Sequence, residues 1–168
     1  MMLEIMVEAD EEWDSSSELL SLVRSAAEAA VAESAFPELA ASPRDVELSI
    51  RLAGDSDVRA LNAEWRGKDK ATNVLSFPLA TPSELALAKF AGPQILLGDI
   101  ILARGVCAAE AAEKAIPLEH HAAHLAAHGT LHLLGHDHQD EAGADDMERR
   151  EIRALARLGI ADPYGNAG

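Results

Sequence analysis

The chain has 168 residues, 48% of them apolar and 26% charged, with a single cysteine and a net charge of −15 from 29 acids and 14 bases. That length fits one domain, and the composition is too apolar for a disordered chain and too charged for a membrane one. No apolar run approaches the ~20 residues that a bilayer span needs.

The first twelve positions, Met1 to Glu12, carry acids where an export signal has a basic region, and Cys107 alone forms no intrachain disulfide. The expected location is therefore the cytoplasm. The overall charge argues against unspecific nucleic-acid binding. Its distribution qualifies this: residues 1–57 hold fourteen acids and three bases, whereas Arg59, Arg66, Lys68 and Lys70 lie close together beside only Glu64 and Asp69.

Leu3, Ile5 and Val7 alternate with polar or flexible residues, as do Val46, Leu48, Ile50 and Leu52, so strands are predicted near 3–8 and 45–52. Between them an Ala/Leu/Glu-rich run from Ser16 to Ser34 predicts a helix that stops before Phe36-Pro37. Asp55-Ser56 offers an N-cap, and Gly67 a C-terminal stop, for a short helix carrying Val58, Leu61, Asn62 and Trp65. Thr72 to Phe77 reads as a strand closed by Pro78, and 95–102 as another, interrupted at Gly98-Asp99. The intervening Leu79 to Pro93 is expected to be a loop or loosely helical. Three helices follow, at about Arg104 to Lys114, Leu118 to Leu134 and Glu141 to Leu158. The pattern predicts an α+β fold over a single domain, 1–168, in which a small mixed four-stranded sheet is packed with helices on both sides.

All seven histidines fall between positions 120 and 138. On a helix His128 and His132 leave the same face one turn apart and can share one ion. Gly135, in a left-handed conformation, would end that helix and let the chain bring His138 back as a third ligand. The spacing predicts one zinc per chain, held by His128, His132 and His138, on a helix of the C-terminal half that lies against the sheet. Three neutral ligands leave a fourth position open, as in catalytic zinc sites. His121 and His124 extend the stripe and are expected to support the ligands or face substrate, while His120 and His136 are expected at the solvent. Asp137 could orient a ligand histidine through its second ring nitrogen or cap the turn. Gly129 costs about 1 kcal/mol in a helix relative to alanine. It indicates a need for space beside the metal or against a strand, or simple helix packing.

Three segments resemble a known family. His128-Gly-Thr-Leu-His-Leu-Leu-Gly-His-Asp-His138, Leu61-Asn-Ala-Glu-Trp-Arg-Gly-Lys-Asp-Lys-Ala-Thr-Asn-Val-Leu-Ser-Phe-Pro78 and Leu97-Gly-Asp-Ile100 are similar to signature segments of the YbeY endoribonucleases, the bacterial rRNA maturation factors. The resemblance runs from about Leu48 to Met147 and Glu151 and reaches Asp162-Pro163-Tyr164. It departs at His136, where the family usually has tyrosine, and does not cover the acidic N-terminal third.

The resemblance implies a zincin-like metal hydrolase: a single-strand-specific, metal-dependent endoribonuclease. Its implied roles are maturation of the 3′ terminus of small-subunit (16S) rRNA and late-stage 70S ribosome quality control. The implied partners are rRNA and the small ribosomal subunit, with ribosomal proteins or assembly GTPases, and neither membrane nor DNA. Arg66 matches the family's arginine proposed to hold the charge that develops on the phosphate, a task suited to a bidentate guanidinium. Its competing role is a surface ion pair with Glu64. Lys68, Lys70, Ser76 and Phe77 are the expected substrate-binding residues, the lysines at flanking phosphates and Phe77, or Trp65, against a base.

Two other readings stay open. A zinc peptidase shares the histidine spacing, but its motif has glutamate where this chain has Gly129. A non-catalytic assembly factor stapled by zinc is the second, and the open three-ligand site beside Arg66 argues against it. Nickel, cobalt or copper would also suit three imidazoles.

Overall fold

The protein's structure, a computed structural model, describes residues 3–13, 16–136 and 140–164. In chain order the elements are β1 (Leu3–Ala9), α1 (Ser17–Glu33), a 3-10 turn (Pro37–Ala41), β2 (Val46–Ala53), α2 (Asp55–Arg66) and β3 (Val74–Pro78). They continue with α3 (Pro82–Ala86), β4 (Ile95–Ala103), α4 (Arg104–Lys114), α5 (Leu118–Leu133) and α6 (Glu141–Ala156). The sheet order is β1-β2-β4-β3, with β1, β2 and β4 parallel and β3 antiparallel on the edge. The fold is thus mixed α+β, as the alternation and helix signals predict. A parallel β1–β2 pair requires a long crossover, which α1 supplies.

The main core lies between one sheet face and α1, α5 and α6, built from Val23, Leu48, Ile50, Leu97, Ile100 and Leu131 among others. A smaller core on the other face joins Ala53, Val58, Leu75, Ile101 and Ala103 under α2 and α4. The burial of α5 on nearly all sides explains its run of small residues, since Ala122, Ala123, Ala126 and Ala127 let α1 and the sheet approach closely. Gly129 belongs to the same logic. A Cβ there would stand 3.0 Å from Cγ2 of Ile100, so the space it provides is for a closely packed strand.

One local expectation takes definite form and two change. The 79–93 segment contains α3, started by a capping box in which Thr81 Oγ1 accepts from the Glu84 amide and the Glu84 carboxylate accepts from the Thr81 amide. The N-cap of α2 is Gly54, while the Asp55 carboxylate instead accepts from the amides of Gly105 and Val106 at the start of the neighbouring α4. The strand at Gly98-Asp99 is continuous but bulged: Glu47 pairs with Leu96 and Leu48 with Gly98. At Gly98, with φ +140, a Cβ would lie 2.3 Å from the Phe77 carbonyl oxygen, so only glycine fits between the strands.

Candidate metal centre

The edge strand β3 places Val74, Ser76 and Pro78 opposite Leu102, Ile100 and Gly98, on the face that α5 covers. Two cavities open along the seam between α5 and β3. One, of about 280 Å³, has Val74 and His128 in its wall, and the other, of about 430 Å³, has Pro78 and His132. The two histidines therefore stand between the cavities, with their Nε2 atoms facing each other 3.1 Å apart.

That separation decides what the pair can hold. Two bare imidazole nitrogens this close repel unless a proton or a cation lies between them, and two ligands on one tetrahedral zinc stand about 3.3 Å apart for Zn–N bonds of about 2.0–2.1 Å. Among the described residues no three such donors converge, and the two facing imidazoles are of a type that would suit a metal. Glu151, on α6 and 1% exposed, fixes the tautomer: the His128 Nδ1–H donates to its Oε2 at 3.2 Å, which leaves Nε2 unprotonated. Its Oε1 accepts from His124 Nε2–H at 2.7 Å and from the Tyr164 hydroxyl at 2.8 Å. Burial pushes the Glu151 carboxyl up, but the hydrogen bonds and charges of His124 and His128 outweigh it and hold the group at about 2. Burial beside Glu151 raises the Tyr164 phenol, so its proton stays on to be donated. A second carboxylate, Glu110, takes the His121 Nε2–H at 2.8 Å, and burial keeps that imidazole neutral by lowering its pKa.

A family model described as Endoribonuclease YbeY matches residues 6–159. The chain belongs to the YbeY family. It is 46% identical over 164 residues to the Endoribonuclease YbeY of Rhizorhabdus wittichii, covering 97% of both chains. It is 55% identical over 122 residues to that of Erythrobacter litoralis, covering 72% of this chain and 76% of the relative. A solution structure of a Thermotoga maritima protein shares the fold, with a TM-score of 0.55 and 21% identity over 97% of this chain and 100% of that one.

His138 and Asp137 lie outside the described residues. Arg66, Lys68 and Lys70 are exposed around the left-handed C-cap Gly67, and no carboxylate among the described residues pairs with them, Glu64 included. They line neither cavity of the seam. Arg59 is withdrawn from the basic group, since its guanidinium donates to both Asp69 carboxylate oxygens at 2.8 and 3.0 Å. Strand alternation separates two residues expected to act together. Ser76 shares the α5 face, whereas Phe77 lies on the opposite face and lines a groove with Leu61 and Trp65.

His136 is a correction: rather than facing solvent, it is part-buried, its Nε2 accepting from the Ala35 amide at 3.2 Å and its Nδ1 lying 3.7 Å from Asp146. His120 is likewise half-buried. His121 and His124 both sit in the wall of the smaller cavity, each bonded to a carboxylate. Cys107 is buried, which pushes its thiol up to about 12 and removes it as a nucleophile.

The sequence reading assigned no role to Glu151, Glu110 or Tyr164. A signal for Glu151 existed: it falls on the buried stripe of α6 with Met147, Ala154 and Leu155, where a carboxylate needs partners.

Proposed function

We propose that the chain is a zinc-dependent endoribonuclease of single-stranded RNA, with a zincin-like centre at His128, His132 and His138. The observation that carries this is the facing Nε2 pair of His128 and His132, set against β3 with one imidazole locked by Glu151. When bound, the zinc supplies a Lewis acid for the phosphodiester. Glu151 holds His128 in the ligating tautomer, and His124 and Tyr164 hold Glu151. Arg66, exposed and free of carboxylate partners among the described residues, grips the phosphate as charge develops, and Lys68 and Lys70 attract its neighbours. Ser76 faces the strand of RNA laid along β3. The relatives' name, Endoribonuclease YbeY, supports RNA as substrate. The partners are then rRNA and the small ribosomal subunit, met in the cytoplasm together with ribosomal proteins or assembly GTPases, and the reaction serves 16S 3′-end maturation and 70S quality control. No helix among the described residues is long and apolar enough to cross a membrane.

The test is cleavage of single-stranded RNA, with casein as the peptidase control, by zinc-loaded and chelator-treated protein. Cleavage of RNA alone, lost on chelation, is expected. Arg66→Ala should keep zinc and fold while losing on the order of 10²-fold in cleavage. His132→Ala should lose stoichiometric zinc. Metal-independent cleavage, or casein digestion without RNA cleavage, would overturn the reading.

A further inference from the structure

The cavity beside His128 has features that metal ligation does not explain. At about 280 Å³ it lies below the ~300–1,000 Å³ of drug-sized sites and suits one planar ring system. Tyr164 stands at its wall with the hydroxyl tied to Glu151 and one edge against His124, ring centroids 5.3 Å apart, yet the residue is 43% exposed. A ring so fixed, with open surface, is a stacking partner whose ordering is already complete.

The polar groups are equally fixed. Glu110 Oε1 accepts from His121 at 2.8 Å and from the Asn73 amide at 3.1 Å, whereas Oε2 has only a 3.5 Å contact to that amide. With its side chain 34% exposed, Glu110 therefore presents one under-used acceptor oxygen to the cavity. Glu113 and Lys114 line the same wall, so two carboxylates against one ammonium leave it net negative, which favours a ring with N–H donors over a phosphate.

We propose that this cavity is a nucleobase subsite selecting a base with an exocyclic amino group over uracil, for the nucleotide adjacent to the scissile phosphate. The proposal rests on the endoribonuclease reading above. The base stacks on Tyr164 and donates its amino N–H to Glu110 Oε2, as carboxylates accept from the cytosine amino group in other complexes. Uracil presents a carbonyl oxygen at the same position, and the carboxylate repels it.

Cytidine and uridine differ at that edge and share ring size, so they form the probe pair. In NMR titrations of the zinc-loaded protein, cytidine should shift the Asn73 side-chain amide and bind about 10-fold tighter than uridine. Glu110→Gln should bring the ratio close to one. Short RNAs with cytosine or uracil at each position should show the same preference beside the cut. Equal affinity of the wild-type protein for both nucleosides, or cytidine binding without a shift at Asn73, overturns the proposal whether or not the variant folds. RNA cleavage indifferent to base overturns the subsite and leaves the ribonuclease reading intact. Cytidine-selective binding by a protein that cleaves no RNA does the reverse.

Discussion

Truncating Glu151 to alanine strands the groups that this carboxylate holds, and the cost depends on which of them can reach water. Tyr164, at 43% exposed, and the His128 side chain, at 21%, can be rehydrated. The His124 Nε2–H is buried and cannot, and it keeps only the longer contact to the Tyr164 hydroxyl at 3.1 Å in place of the 2.7 Å bond to a carboxylate, a loss of about 1–3 kcal/mol. The titration points the same way: the carboxyl is held at about 2 against an ordinary 4.5, so the folded state favours its charged form. Because the folded-state value is depressed, that stability is present above 4.5 and disappears as the pH falls toward 2. At about 2–4 °C per kcal/mol, Glu151→Ala should lower the Tm of the metal-free protein by roughly 2–12 °C. It should also weaken zinc binding about 10–100-fold, because nothing then holds the His128 Nδ1–H and keeps Nε2 unprotonated. The assays are thermal melts by circular dichroism and competition for zinc against a chromophoric chelator at neutral pH. A Glu151→Ala protein with wild-type zinc affinity would refute the positioning of His128 by this carboxylate, whatever its Tm.

Gly129→Ala should destabilise by about 1 kcal/mol even though alanine is the better helix former, because the new Cβ meets the buried Ile100 side chain at 3.0–3.2 Å. Adding Ile100→Val, which removes Cδ1, should recover part of the loss in a chemical-denaturation series, and no recovery would place the strain elsewhere. Gly98→Ala should cost more, about 2–4 kcal/mol, since its Cβ would meet the Phe77 carbonyl at 2.3 Å in a left-handed backbone. Burial lowers the His121 pKa below 6.5, so its contribution to stability is whole above that value and declines as the pH falls beneath it. Denaturation midpoints of the metal-free protein at a series of pH values should begin to fall below about 6.5, and His121→Phe should flatten that onset.

What was legible in the sequence follows the range of each interaction. The strands and helices announce themselves within a few residues, through alternation in β1 and β2 and through Gly67 at the end of α2, and the structure keeps them. The capping box at Thr81 and Glu84 was equally local, and the apolar content of 79–93 obscured it. Asp55 misled for the opposite reason. It stands where an N-cap belongs, yet its acceptor oxygen finds the amides of Gly105 and Val106, fifty positions away, which no window around α2 contains.

The candidate metal centre divides along the same line. His128 and His132 are neighbours by helix geometry alone, so their pairing could be read directly from the spacing. The group that decides which nitrogen of His128 carries the proton comes from α6, twenty-three residues later, and is itself held by Tyr164. Two imidazoles at helical spacing are common and can exist in either tautomer. A buried carboxylate with its lone pairs filled by His124, His128 and Tyr164 permits one. On the proposed reading the spacing marks where a cation would sit, and the long-range contact sets His128 in the tautomer that would ligate it. Glu151→Gln tests that step by itself, because its single carbonyl oxygen can serve His128 or the His124–Tyr164 pair but not both. Zinc affinity should fall while the fold survives.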